Sequence, residues 1–445
     1  MARFVGNHVS REMLALWLIE LLLSFCLAYM LLSTGPLTIG VQPSVVNHAA
    51  ILALTVGFTA LAIGLYRPEV FHRTRGLLIN TALGGLLAFP VAWLVSKALG
   101  MDADRLLGHD PFWPTKIVVA WIGALFVIRL LFLAAVRSNV FLRPVAGLGP
   151  MAAMAATVAA IRSRHRGFLR VVSGTSDSAG AARLQASGVR EAVLACSVLS
   201  AMPIEERAGF VAHGIALETE AHFWERCLKR VAVDHLDQAW LNALDEVRVS
   251  PLQLLVNRAG DVGISLVFLV FALPLILTVA LLVWIDSPGP VLYRQVRIGQ
   301  AGRPFTLLKF RSMRSDAETR GPAWATQRDP RVTRVGSFMR RTRIDELPQL
   351  MNILRGQMSF IGPRPERPHF VEQLAAVIPY YRERARVKPG LTGWAQVNFP
   401  YGASVEDARV KLSYDLYYVR HRSPLLDLAI LFATVRVILF QEGSR

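Results

Sequence analysis

Cysteine is scarce in this chain: three in 445 residues, far apart at Cys26, Cys196 and Cys227. An odd count at wide spacing excludes a disulfide framework and a paired-cysteine metal site, and fits a reducing compartment. The ten histidines show no ligand spacing, which argues against a zinc centre. Acid is short as well, with 32 Asp and Glu against 49 Lys and Arg, a formal net charge of +17. Such an excess can meet nucleic acid, anionic lipid or phosphorylated substrates. Nucleic acid is set aside, because the basic residues are not interleaved with aromatics and no binding module is recognisable. Charge of either sign is only 18% of the chain, hydrophobic residues are 53%, and the mean hydropathy is +0.39. That balance points to a membrane.

Four apolar runs precede residue 140: Met13–Leu32, Val45–Leu65, Leu77–Leu99 and Ile117–Ala135. Each has about the length needed to cross ~30 Å of hydrocarbon. Arg129, inside the fourth, reads as the one costly charge, snorkelling or facing the bundle. The first run is too long for a signal-peptide core and no small-residue cleavage site follows it. Arg3 and Arg11 precede the first run, Arg67, Arg73 and Arg75 lie between the second and third, and Arg137 and Arg143 follow the fourth. The stretch between the first and second has no Lys or Arg, and Lys97, Arg105 and Lys116 lie around the third loop. The positive-inside rule then puts both ends of the unit on the cytoplasmic side. A very apolar soluble bundle is the alternative. The expected domains are a four-helix transmembrane domain at 1–137, a degenerate Rossmann-like cytoplasmic domain at 138–250, and a catalytic domain at 251–445.

In the middle domain short β-like runs alternate with Ala-rich helical stretches. "GLGPMA" at 147–152 fits G-x-G-x-x-A, a form that brings backbone close to a pyrophosphate. Arg143 and Pro144 interrupt the strand before it, and Pro150 removes an N–H, so a degenerate Rossmann-like spacer is favoured over nucleotide binding.

A fifth apolar run, about 262–285 (Val262–Ile285), is flanked by Asp261 and Asp286 and has Pro274 near its centre. A full crossing would place the following Arg294, Arg297 and Arg303 outside, against the charge rule. A Pro-broken helix that enters and returns on one side resolves the conflict; a kinked spanning helix is the alternative.

The chemistry sits in "IDELPQL" at 344–350. Pro348 is tolerated only in a first helical turn, so a helix over about Glu346–Leu354 puts Asp345 at or near its N-cap. A helix N-terminus keeps a carboxylate ionised and offers N–H groups to a phosphate. Read alone, Asp345 is a plain N-cap. In context Arg340, Arg341, Arg343 and Arg364, with Lys309 and Arg311 on the preceding strand, supply donors suited to phosphate oxygens. An ionised Asp345 among them can attack phosphorus, and Glu346 can hold a Mg²⁺, which takes one or two carboxylates plus substrate phosphates.

Residues 252–440 resemble the bacterial sugar transferases that are monotopic polyprenyl-phosphate phosphoglycosyl transferases. The stretches carrying the resemblance are "NRAGDVG", "SPGPVLYRQVRIG", "KFRSM", "DELPQLMNILRGQMSFIGPRPE", "KPGLTGWAQVN" and "YDLYYV". The whole chain is similar to the large form of that family. It implies a ping-pong reaction at the cytoplasmic face of the bacterial inner membrane, initiating exopolysaccharide, capsule or O-antigen synthesis. Asp345 attacks the β-phosphate of a UDP-sugar, UMP leaves, and a polyprenyl (undecaprenyl) phosphate takes the phosphosugar. The resemblance gives the Asp345–Glu346 pair the nucleophile and Mg²⁺ roles, and matches Val262–Ile285 and Pro274 to a re-entrant helix kinked at its proline. One departure is Gly260, which stands before Asp261 where family members often carry a bulky apolar residue.

The remaining features read more openly. "GPRPE" at 362–366 is a rigid turn presenting Arg364 and Glu366, to phosphate or metal or for structure alone. "KPGLTGWAQVN" offers Thr392, Gln396 and Asn398 to a nucleotide or sugar, or is a packed turn around Trp394. The "YDLYYVR" tyrosines and the run Leu425–Phe440 suit a helix at the membrane interface, amphipathic or docked. A homodimer through the transmembrane or middle region is the oligomeric expectation. A catalytically decayed membrane scaffold is the competing function, and the intact acidic pair argues against it.

Overall fold

The computed structural model describes residues 11–33, 43–62, 65–66, 74–98, 113–149, 155, 157–159, 161, 168–174, 178–236, 238–245, 250–287, 289–314, 331–399, 402 and 404–439. The loop cations Arg3, Arg67, Arg73 and Arg105, and Pro150–Ala152 of the glycine turn, lie outside the described residues. The chain forms two compact units, Met1–Leu228 and Lys229–Arg445.

The first unit opens with four helices, α1 (Arg11–Ser33), α2 (Pro43–Ala62), α3 (Thr74–Ala98) and α4 (Trp113–Arg137). Each packs on the next, and α4 closes back on α1. Among the described residues three helical segments are long and apolar enough to cross a membrane, Glu12–Met30, Val118–Arg137 and the later Pro251–Asp286, which makes this a membrane protein. Arg129 neither snorkels nor stands alone. It is 0% exposed and its Nε and Nη2 donate to Glu20 Oε1 and Oε2 at 2.7 and 2.8 Å. Tyr66 donates to Glu20 Oε2 at 2.6 Å and Arg129 Nη1 to Thr81 Oγ1 at 3.0 Å. Glu20 is therefore a second charge inside the apolar bundle, in the first run, where the sequence reading counted only Arg129. A forked guanidinium matched to both carboxylate oxygens is the geometry that offsets burying two charges.

After the bundle comes a parallel sheet in the order β2-β1-β3-β4, from β1 (Arg143–Leu148), β2 (Leu169–Gly174), β3 (Glu191–Leu194) and β4 (Ala216–Thr219). Arg143 and Pro144 lie inside β1 rather than interrupting it. The Arg143 N–H bonds Phe168 O on the β2 side, so Pro144's missing N–H faces β3, whose pairing starts only at Ala146.

The second unit is built on α5 (Pro251–Asp286), 36 residues capped by Ser250, whose hydroxyl accepts from Gln253 N at 3.1 Å. α5 stays helical through Pro274, where the sequence predicts a break. One stretch of α5 docks through Arg258, which donates to Ile353 O and Leu354 O, both at 2.6 Å. Asp261 Oδ1 accepts from Ser359 Oγ and Phe360 N, both at 3.0 Å, and the helix, already begun at Pro251, runs through Gly260. A second stretch docks through Val279 and Val283, packed with Phe310 and Met339. Between and beyond them large apolar side chains face outward, Phe271 being 81% exposed.

The rest of this unit is an antiparallel hairpin, β5 (Leu292–Ile298) and β6 (Pro304–Phe310), then α6 (Arg334–Thr342), α7 (Gln349–Leu354) and α8 (Pro368–Val377). Two short parallel strands, β7 (Ser359–Ile361) and β8 (Gly390–Thr392), cross closely. A Cβ on Gly362 would stand 2.3 Å from Lys388 O, which is why glycine occupies that position. Helices α9 (Trp394–Asn398), α10 (Val405–His421) and α11 (Pro424–Leu439) complete it. Tyr414, Tyr417 and Tyr418 of "YDLYYV" are core residues, not interfacial ones, and Leu426 and Ile430 of α11 are buried with Tyr417 and Tyr418 in one cluster. Stacked helices offered these rings more apolar contact than a membrane surface, with Tyr418 OH satisfied by Asp427 Oδ1 at 2.8 Å.

Candidate active site

Helix α6 ends where Arg343 takes a left-handed backbone, φ 61°. The chain then makes a 3₁₀ turn, Ile344–Glu346, before α7 begins at Gln349. The acidic pair thus sits one turn ahead of the position expected. Pro348 has no N–H to continue an α-helical ladder, and i→i+3 bonds from Leu347 and Leu350 fill the gap.

Asp345 and Glu346 are buried, 7% and 8% exposed, yet their surroundings differ. Glu346 Oε1 collects three cations: Arg364 Nη2 at 2.7 Å, Lys309 Nζ at 3.1 Å and Arg343 Nη1 at 3.7 Å. Burial opposes its ionisation, but Arg364, Lys309 and Arg343 outweigh that and hold the carboxyl well below the usual carboxylate range. Asp345 Oδ1 is buried with no hydrogen-bond partner among the described residues. Burial pushes the Asp345 carboxyl above its ordinary value, Lys309 opposes this, and the charge on Glu346 adds to it. One acid is a fixed anion; the other keeps an oxygen free.

Lys309, Arg343 and Arg364 are thus brought together on Glu346, and Arg340 acts electrostatically on Asp345 while its Nε donates to Ser312 Oγ at 3.0 Å. Arg311 is buried, with Nη2 on Ser287 O where α5 ends. Gln396 makes no contact with the pair among the described residues; its amide donates to Leu391 O at 3.2 Å. Sequence reasoning missed Arg384. Its Nη2 meets Asp415 Oδ2 at 2.7 Å and donates to Arg364 O at 2.9 Å, so a buried acid of "YDLYYV" is tied to the backbone of the residue that grips Glu346. The available signal was Asp415 itself, a lone acid in an apolar helical run.

Mg²⁺ fits these residues. All three cations reach Glu346 through Oε1, and Asp345 Oδ1 is an orphaned acceptor beside it. No group of three or more His, Cys, Asp or Glu suited to a metal occurs among the described residues. A Mg²⁺ held here would need substrate oxygens and water to complete its shell.

Residues 252–441 match the family described as bacterial sugar transferase. A UDP-N-acetylgalactosamine-undecaprenyl-phosphate N-acetylgalactosaminephosphotransferase of Aeromonas hydrophila is 44% identical over 216 residues, 48% of this chain and 50% of that protein. A UDP-glucose:undecaprenyl-phosphate glucose-1-phosphate transferase of Escherichia coli (strain K12) is 42% identical over 194 residues, 43% of this chain and 42% of that protein. The exopolysaccharide production protein PSS of Rhizobium leguminosarum bv. phaseoli is 42% identical over 193 residues, 41% of this chain but 95% of that protein. The chain spans half or less of the length of the first two relatives.

Proposed function

The chain belongs to the bacterial sugar transferase family, and from that premise we propose that it moves a sugar-1-phosphate from a UDP-sugar to a polyprenyl phosphate such as undecaprenyl phosphate. The observation that carries this reading is the buried Asp345 oxygen, without a partner among the described residues, beside a carboxylate whose Oε1 collects three cations.

A free Asp345 oxygen attacks the donor's β-phosphorus. The bond to the bridging oxygen breaks and its electron pair leaves with UMP. The acceptor's phosphate oxygen then attacks the same phosphorus, and the phosphorus–carboxylate bond breaks to restore Asp345. Arg364, Lys309 and Arg340 surround the phosphoryl group with donors that stabilise its developing charge. A Mg²⁺ held by Glu346 would supply charge neutralisation for the donor diphosphate.

The membrane arrangement is read from α5. Arg258 and Asp261 dock one stretch on this unit, and Val279 and Val283 dock another. A helix crossing ~30 Å of hydrocarbon would carry its far end away from a domain on one side. Double docking with outward apolar residues between supports a helix that enters the membrane without crossing it, and with it a site on the cytoplasmic face of the inner membrane. Oriented sealed vesicles with Mg²⁺, a panel of UDP-sugars and undecaprenyl phosphate test both halves. UMP release is expected from one sugar, only where the cytoplasmic face is outward, with protease cutting both flanks of α5 from that face or neither. No release from any sugar in folded protein would move the weight to a scaffold.

Attack needs an ionised Asp345. With its carboxyl raised, turnover falls on acidification at a higher pH than an ordinary aspartate would give. Arg364 lowers that value, so Arg364→Gln should move the acid limb of kcat/KM for the donor to higher pH. A limb that stays put or moves lower would show that Asp345 is not the titrating group.

A further inference from the structure

A second feature of this unit shares Arg364 with the acidic pair, neither acid of which lines it. A cleft of about 870 Å³ opens between the turn that joins β5 to β6, the Pro363–Glu366 turn and the Tyr381–Arg386 turn. We propose that this cleft seats the leaving half of the donor, a nucleoside 5′-monophosphate, with Arg364 standing between it and the phosphorus under attack. This assignment rests on the transferase reading above.

Three observations carry it. The volume lies in the range of ~300–1,000 Å³ that small-molecule sites occupy. The lining is cationic, with five arginines against three carboxylates, and suits a phosphate that gains charge as its bond to the β-phosphorus breaks. Arg384 lines it with a buried Nε that has no hydrogen-bond partner among the described residues, although its other nitrogens are committed to Asp415, Tyr381 and Arg364 O.

The wall is also rigid, which a site that must hold one end of a reacting diphosphate requires. Arg297 Nη1 donates to Pro365 O at 3.0 Å and Ile298 N to Glu366 O at 2.9 Å, while Arg384 holds Arg364 O. The backbone bearing Arg364 is thus tied down from two sides, while its guanidinium reaches Glu346. At the rim, Gln300 commits its amide N–H to Arg386 O at 3.2 Å, leaving the amide oxygen as an acceptor for a base N–H.

Binding of uridine 5′-monophosphate to full-length Asp345→Asn protein in nanodiscs with Mg²⁺ tests this, alongside donor and lipid KM values in chains that keep Asp345. Two variants are compared: Gln300→Ala, which removes a rim side chain, and Ala385→Trp, which fills the cleft. Both should weaken nucleotide binding about tenfold or more and raise donor KM by a similar factor, more than they lower kcat, with lipid KM within about twofold. Thermal unfolding reports whether either variant has lost its fold, and Gln300→Ala carries the test if Ala385→Trp has. Unchanged nucleotide binding and donor KM in a parent that turns over would overturn the cleft assignment alone. A rise in lipid KM instead would give the cleft to the acceptor phosphate and overturn it too. A parent that neither binds the nucleotide nor turns over would remove the transferase reading and this assignment together.

Discussion

Asp345→Asn should abolish turnover, by at least ~10³-fold, and with it a covalent species that the parent accumulates. Protein incubated with donor but no lipid should gain the mass of one sugar phosphate per chain and lose it when polyprenyl phosphate is added. The substitution keeps the volume of a side chain that is 7% exposed, so packing changes little while the attacking charge is removed. Intact-protein mass spectrometry reads the result directly. An adduct of undiminished yield in the asparagine chain would place the nucleophile elsewhere. Glu346→Gln is a poorer probe of chemistry. It leaves the half-buried Lys309 and Arg364 facing a neutral amide, and uncompensated cations there cost stability whatever the residue does in the reaction.

Arg129→Met should cost the helical bundle ~3–5 kcal/mol, the usual penalty for removing one partner of a buried ion pair. What remains is Glu20, 2% exposed, with only Tyr66 donating to its carboxylate among the contacts described above. The double change Glu20→Met with Arg129→Met should recover most of that loss, because two apolar side chains replace two charges and leave no orphan. Reversible unfolding in bicelles, run as a double-mutant cycle, measures the coupling. Simple additivity of the two single losses would show that the pair is not a unit.

The two cases differ in how much the sequence announced. "IDELPQL" could be read locally. Two adjacent acids, a proline that restricts helix geometry and a cluster of arginines are neighbours in the chain, and that neighbourhood is enough to mark the site. Even so, the chain does not announce the turn type, because whether Pro348 opens an α-helix or follows a 3₁₀ turn depends on the left-handed Arg343 before it. Gln396 stands out in the sequence for its polarity inside a glycine-containing motif; in the fold its amide N–H goes to Leu391 O, while its Oε1 is buried without a partner among the described residues. The tyrosines of "YDLYYV" looked interfacial because rings with hydroxyls suit such a boundary. Helix packing around α10 made them core.

The sequence by itself determined the membrane character, the apolar runs, the hairpin and the acidic pair. Each follows from hydrophobicity, turn residues or adjacency over a few positions. Only the tertiary structure decided who partners whom. Lys309 and Arg364 reach Glu346 from 37 and 18 residues away, and Arg129 meets Glu20 across 109. Such pairings arise when separate elements pack and exclude water, so that a buried charge must find its counter-charge wherever the fold has brought one, and no local pattern in the chain records that choice.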